Sequence, residues 1–173
     1  TIAHNDFMDI YLLAKCRFAI LPHNGLKHLA MIFRTPIVGV NIIPFVGLLF
    51  MRSCDVCITK KLWLRREQRF MSFREIFESG VAMFTHTEKY EVMGVKVMEN
   101  TPEEITAAAI EMDERLKGIG KTTEEDEELQ QRFRDIVFKS KLPDGTFVKD
   151  ILPLGLKCKI STEFLRQNKK LLE

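Results

Sequence analysis

The sequence predicts an α/β domain, in which a short parallel sheet is flanked by helices and followed by a helical C-terminal tail. Short apolar segments alternate with segments of helical periodicity, which is typical of this class. Segment 37–41 (IVGVN) is apolar on both faces, as expected for a central strand covered by helices. Hydrophobic residues make up 46% of the 173, enough for one core, so a single domain is expected, with its sheet in 1–118 and a helical extension over 119–173.

The N-terminal segments predict a helix, a strand, a second helix and a second strand. Residues 6–16 have a helical apolar pattern with Asp6 as the candidate N-cap, and residues 17–21 form a short apolar strand. The second helix is predicted from residue 24 and ends at Thr35, because a residue before proline avoids the helical region. Its spacing predicts a buried stripe formed by Leu26, Leu29, Ala30 and Phe33.

The later segments carry stronger helix signals. Segment 42–53 is predicted to be either a loop or a short buried helix, and segment 55–63 is a possible strand. Two helices are predicted to begin at capping boxes, one formed by Ser72 with Glu75 and the other by Thr101 with Glu104. The remaining elements are a strand around 95–98, a capped helix over 122–140 and a terminal helix over 161–173.

The loop between the first strand and the second helix is the candidate binding site. In open parallel sheets, ligands bind beyond the carboxyl ends of the strands, where loops meet helix N-termini. Asn24 is placed to cap the helix, and Gly25 lets a ligand come close to the backbone. The N–H groups of Gly25, Leu26 and Lys27 are then predicted to point at an anion, which the helix dipole also favours.

Basic side chains surround this loop. His23, Lys27 and His28 lie near the predicted helix start, where positive charge opposes the helix dipole unless an anion is bound. The alternative is a capped connection whose basic residues face solvent, and the spacing alone slightly favours that alternative. Asn41 and Pro44 mark the end of the next strand, which is the second strand end of this kind.

Residues 23–41, HNGLKHLAMIFRTPIVGVN, resemble the nucleotide-sugar-binding segment of GT-B-fold glycosyltransferases, especially heptosyltransferase-type enzymes. The likeness rests on Gly25, His28, Leu29, Ala30 and Pro36. Nearly the whole chain is similar to an uncharacterised bacterial glycosyltransferase-like family, through the segments DFMDIYLLAKCRF, FREIFESG, ENTPEEI, TEEDEELQQRF and EFLRQNKKLL. That family usually has Ser-Gly-Ser-Gly at the loop, where this chain has Pro-His-Asn-Gly.

The resemblance implies a partial Rossmann-like domain, the C-terminal half of a GT-B enzyme. Such a half binds a nucleotide-sugar donor, while a missing N-terminal half binds a glycan or lipid-linked acceptor. The resemblance also implies that Gly25, Leu26 and Lys27 hold the diphosphate through backbone N–H groups, with His28 in support. No Asp-x-Asp motif is present, so no tightly bound metal or cofactor is expected. We expect the chain to be part of a longer protein and to have little transferase activity alone.

A non-catalytic interaction module, a truncated relic of such an enzyme, is the rival hypothesis. It would dock through an open sheet edge and the basic segment 60–69. Because the net charge is only +2, that segment is interpreted as a solvated face rather than a nucleic-acid site. Glu75, Glu78 and Glu163 are candidates for a general base, although their positions favour helix caps or surface roles.

Cysteine usage and hydropathy suggest where the protein works. Cys54 and Cys57 have ligand spacing but lack a second pair, so the cysteines are interpreted as reduced thiols rather than zinc ligands. The longest apolar run, residues 36–51, is interrupted by Asn41 and Pro44 and is too short to span a bilayer. With no recognisable signal peptide, a cytoplasmic protein is expected.

Overall fold

The structure, a computed structural model, describes residues 5–151 and 156–173 and confirms the predicted α/β class. The strands are β1 (Ala19–Leu21), β2 (Ile37–Ile42), β3 (Val56–Thr59), β4 (Lys61–Leu64), β5 (Arg69–Phe70), β6 (Val95–Met98) and β7 (Lys159–Ile160). The helices are α1 (Asp6–Lys15), α2 (Leu26–Ile32), α3 (Phe73–Glu78), α4 (Thr87–Val92), α5 (Pro102–Lys117), α6 (Glu124–Lys139), α7 (Val148–Ile151) and α8 (Thr162–Gln167). Short 3₁₀ helices cover Phe45–Phe50, Val81–Met83 and Lys169–Leu172.

The main sheet is parallel, with strands in the order β1, β2, β3 and β7. The unit β1–α2–β2 is a crossover between adjacent parallel strands, consistent with a Rossmann-like fold. Val38 lies opposite Val56, and both are fully buried. On the other face, Gly39 lies opposite the buried Cys57. The central position predicted for segment 37–41 is therefore confirmed.

Two strands, β5 and β7, lie where the sequence does not predict a strand, and one predicted strand is divided in two. Segment 55–63 is divided between β3 in the parallel sheet and β4, the middle strand of a small antiparallel sheet with β5 and β6. The extension 119–173, predicted to be helical, contributes β7, which pairs with β3. A two-residue strand has too little periodicity to be recognised, so the tail is part of the main sheet rather than an appendage.

Helix ends follow local signals closely. Both predicted capping boxes are formed, at the starts of α3 and α5. Gly118, with φ 72°, ends α5 in the left-handed region that favours glycine. At α1 the prediction is corrected by one residue, because Asn5 rather than Asp6 accepts a hydrogen bond from the N–H of Met8.

Polar side chains form hydrogen bonds at both ends of the parallel sheet. At the amino end, the buried Asp55 accepts a hydrogen bond from the N–H of Ile37 at 3.0 Å and pairs with Arg52 at 2.9 Å. At the carboxyl end, the N–H of Asn41 donates to Asn100 Oδ1 at 2.7 Å, and the N–H of Asn100 donates to Asn41 Oδ1 at 2.6 Å. This reciprocal pair fixes the start of α5 at the carboxyl end of β2.

The β1 side of the sheet is the least covered part of the described structure. Within residues 5–151 and 156–173, no strand pairs with the second edge of β1. Helix α1 buries only Leu13 among its residues. In the same described ranges, every helix is too short or too polar to cross a membrane.

Candidate anion-binding site

The predicted loop lies at the carboxyl end of β1, between that strand and α2. Asn24 caps the helix start as predicted, since its Oδ1 accepts a hydrogen bond from the N–H of Leu26 at 3.1 Å. Gly25 is helical, with φ −61°, and a Cβ built on it would meet no atom within 4 Å. The fold itself does not require glycine at this position, and the space beside the backbone is open to a ligand.

The backbone is a weaker anion site than the sequence predicts. One of the three N–H groups expected to face a ligand, that of Leu26, already donates to Asn24. Helix α2 has only 7 residues, so few aligned peptide units contribute to its dipole. The anion-binding capacity of this loop must therefore come largely from side chains.

The buried stripe predicted for α2 is wrong in two of its four members. Ala30 is buried and Leu29 partly buried, but Leu26 and Phe33 are each 39% exposed. Lys27 is buried instead, with 5% of its surface exposed. The helix is turned so that Lys27 faces the sheet, on the same side as Ala30.

Lys27 and His23 form a pair of basic groups. The Lys27 ammonium nitrogen is in hydrogen-bond contact with His23 Nε2. Among the described residues, no carboxylate forms an ion pair with Lys27. His28, which is exposed, adds a third basic group close enough to act on His23. We call His23, Lys27 and His28 the basic cluster.

Burial and mutual repulsion shift the protonation of this cluster. Burial lowers the pKa of Lys27. The pKa of His23 is also lowered, first by burial and then by the positive charges of Lys27 and His28. An anion bound here would reverse these shifts, because it supplies the negative charge that the cluster lacks.

The 3₁₀ helix Phe45–Phe50 holds the His23 ring in place. A Cβ on Gly47 would lie 2.5 Å from His23 Nε2, so only glycine at 47 leaves room for the ring in this position. Beside the pair is a narrow hollow with mostly apolar walls, formed by Leu21, Pro22, Ile37, Gly39, Ile42 and Met51. Charges surrounded by such groups interact more strongly than charges in water.

Asn41 and Pro44 do not join the basic cluster. Asn41 has φ 52° and is bonded to Asn100 through both its backbone N–H and its side-chain oxygen. Its role in this structure is to connect β2 with α5. Pro44 lines a different hollow, of about 290 Å³, together with Ile43, Lys60, Phe84, Thr85, Thr87, Tyr90, Val97 and Glu99.

The other candidate residues take structural roles. Glu75 closes its capping box and binds Arg69 at 2.6 Å, and Glu163 lies 3.5 Å from Arg166. Glu78 pairs with Arg74 at 3.7 Å on the surface. Within segment 60–69, Lys60, Lys61 and Arg69 are paired with Glu99, Glu104 and Glu67. The segment is therefore partly neutralised, and Arg65 and Arg66 are exposed, with no ion pair among the described residues.

The cysteines and acidic groups do not gather into a metal site in the part of the chain that the structure describes. Cys57 and Cys158 are buried and adjacent, whereas Cys16 and Cys54 are exposed. Burial raises the pKa of Cys57 well above its usual range, so this thiol stays protonated.

Sequence reasoning identifies the loop but misses the pairing of Lys27 with His23. Residues 23 and 27 are four apart, and Ala30 follows three residues later. This spacing would place all three on one side of a helical segment. The apolar spacing of Leu26 and Phe33 is the more prominent signal, but it describes the exposed side.

The α/β class of the protein rests on its structure alone. A scan against protein-family models finds no matching family, and searches of curated proteins and of solved structures find no match.

Proposed function

We propose that this chain is the donor-binding part of a glycosyltransferase, with the basic cluster as the site for the donor's diphosphate. The observation that carries this proposal is the pairing of Lys27 with His23 at the carboxyl end of β1 without a carboxylate partner among the described residues. Burying a cationic group without a counter-charge is costly, so a fold that retains one usually has a use for it.

A nucleotide sugar fits this arrangement because the diphosphate that joins its nucleoside to its sugar is anionic. A phosphate placed over Gly25, where the space is open, would lie next to the loop that carries His23, Lys27 and His28. During transfer, negative charge grows on the departing nucleoside diphosphate, and fixed positive groups stabilise it. The acceptor glycan would be bound by another part of the enzyme.

The first test is thermal unfolding with and without nucleoside diphosphates (UDP, GDP, ADP and CDP). At least one should raise the unfolding temperature, because a ligand that binds only the folded state stabilises it. We expect Lys27→Met to abolish that shift while raising the unfolding temperature of the free protein by roughly 2–4 °C, since an uncompensated buried amine is removed.

The matched control is Lys121→Met, which removes an exposed lysine distant in sequence from the loop. It should leave both the free protein and the nucleotide shift unchanged. Stabilisation that persists in Lys27→Met, or a lack of stabilisation by all four nucleotides, would contradict the proposal.

A second candidate function, a non-catalytic interaction module, is favoured by one observation. Large apolar side chains remain exposed along α1 and near the free edge of β1, and Phe7 alone is 71% exposed. Such a surface usually marks a contact with another protein surface. A chain that binds a protein partner but no nucleotide would support this alternative.

A further inference from the structure

Trp63 and Phe70 lie side by side on the outer face of the small antiparallel sheet. Leu62 and Val95, on its other face, are buried in the core. The outer face of such a sheet is normally polar. The two rings instead meet edge to face, with centroids 4.9 Å apart, and both side chains are only partly buried. Phe70 packs in part against the core, so core packing accounts for only one of the two aromatic side chains in this position.

These rings form one wall of a groove of about 910 Å³. The opposite wall consists of the end of α8 and the 3₁₀ helix that follows it, including Gln167, Asn168 and Leu171. This volume is within the range of small-molecule sites. Among the described residues, the indole N–H of Trp63 has no hydrogen-bond partner, so a donor at the aromatic wall is available to a ligand.

The charged groups of the groove are largely paired with each other or with neighbours. Arg69 lies 2.6 Å from Glu75 and also contacts Glu67. Arg166 binds the buried Asp126 at 2.7 Å, and Lys169 contacts Glu125. The two remaining groups in the lining, Lys170 and Glu173, have opposite charges. In contrast to the basic cluster, the groove therefore has no excess positive charge for a phosphate.

Uncharged polar groups remain available. The side-chain amides of Gln167 and Asn168 donate to Glu163 and to the carbonyl of Phe164, respectively. In the described parts of the chain, their carbonyl oxygens accept no hydrogen bond. The groove thus combines an aromatic face with neutral acceptors and the free indole donor.

We propose that this groove binds a neutral oligosaccharide. The apolar face of a sugar ring can pack on Trp63, while its hydroxyl groups bond to the indole N–H and to the amide oxygens of Gln167 and Asn168. The proposal is independent of the donor site, because it requires neither a nucleotide nor Lys27.

The test uses the fluorescence of Trp63, which is the only tryptophan of the chain. The probes are cellotetraose, maltotetraose, chitotetraose and mannotetraose, each up to about 10 mM. At least one should change the emission in a saturable manner, and added NaCl should not weaken binding, since no ion pair is formed. Gln167→Ala should weaken binding at least about fivefold, whereas Phe50→Ala, an exposed residue outside the groove, should not.

Two further measurements make the result decisive. Trp63→Leu, whose folding is checked by circular dichroism, should abolish the heat of sugar binding in calorimetry. The proposal is overturned if none of the four sugars gives a saturable change, or if UDP gives the same change and competes with the sugar. Loss of the UDP-induced thermal shift in Lys27→Met with sugar binding intact would leave both proposals standing as separate sites.

Discussion

At the scale of single residues, Gly47 and His23 are coupled by contact. The methyl group that Gly47→Ala introduces would occupy the position of the His23 ring, 2.5 Å from Nε2, so the substitution should push the ring away from Lys27. The pKa of His23 should then rise toward its ordinary value of 6.5, which an NMR titration can measure. We expect a stability loss of about 1–3 kcal/mol from overpacking.

Gly25→Ala is the control for that substitution. A Cβ at Gly25 meets no atom within 4 Å and the backbone there is helical, so the pKa of His23 should not change. If Gly25→Ala shifts the pKa of His23 as much as Gly47→Ala does, the contact between Gly47 and His23 does not position the ring.

The basic cluster should also make the affinity for an anion depend on pH, in a direction that the pKa shifts determine. The lowered pKa values of His23 and Lys27 mean that the free protein holds fewer protons than an anion-bound protein would. Binding should therefore take up protons and tighten as the pH falls from about 8 to about 6, by at most tenfold per pH unit for each proton. Calorimetry with a nucleotide sugar, whose diphosphate charge is constant in this range, measures the effect.

The lowered pKa of His23 has the opposite effect on the stability of the free protein, which should fall as the pH falls. Below pH 6.5 the unfolded chain binds a proton that folded His23 does not, so the free energy of unfolding should fall as the pH drops through this range. His23→Gln should remove this loss of stability and weaken the pH dependence of binding, to which Lys27 also contributes. A binding constant that is independent of pH in the wild-type protein would contradict this account of the cluster.

At the scale of elements, one ion pair between the buried Asp126 and the exposed Arg166 joins α6 to α8. Asp126 caps the start of α6 by accepting a hydrogen bond from the N–H of Thr123 at 2.8 Å, and it binds Arg166 through two nitrogens at 2.7 and 2.8 Å. Asp126→Ala would leave these donors without their acceptor. We expect a loss of about 1–3 kcal/mol in the free energy of unfolding, measured with urea, because a cap and a charged hydrogen bond are lost while Arg166 can turn to water.

The control is Asp135→Ala, which removes a surface carboxylate from the same helix and should cost far less, because exposed ion pairs contribute little to stability. Although burial opposes it, the pKa of Asp126 is lowered by Arg166 and by the capping hydrogen bonds. Its contribution is therefore present above pH 3.8 and is lost as the pH falls through the folded-state value. Equal effects of the two substitutions would show that the pair does not join the helices.

An element is easier to predict from the sequence when the residues that determine it are close together in the chain. The starts of α3 and α5 are specified by a serine or threonine and a glutamate three residues later, so the sequence predicts them nearly to the residue. The division of 55–63 between two sheets, and the pairing of β7 with β3, depend on contacts far apart in sequence. The burial of Lys27 has the same origin, because it is set by how α2 rotates against the sheet.

At the scale of the whole molecule, the coverage of the parallel sheet is uneven. Exposed apolar side chains gather in the N-terminal part of the chain, namely Phe7, Ile10, Tyr11, Leu12, Ile20, Leu26, Ile32 and Phe33. They accompany a strand, β1, whose second edge is unpaired within the described ranges. Free strand edges and large apolar patches both promote association between chains.

We therefore expect the isolated chain to self-associate at concentrations of tens of micromolar or above, as measured by size-exclusion chromatography with light scattering. Phe7 is 71% exposed, and its one aromatic contact among the described residues is with Tyr11, so Phe7→Glu should reduce association without loss of folding. Val92, 88% exposed on α4, supplies the control Val92→Glu, which should leave association unchanged. If the wild-type chain is monomeric throughout, or if both variants dissociate it equally, the β1 side is not the association surface and the interaction-module alternative loses its main support.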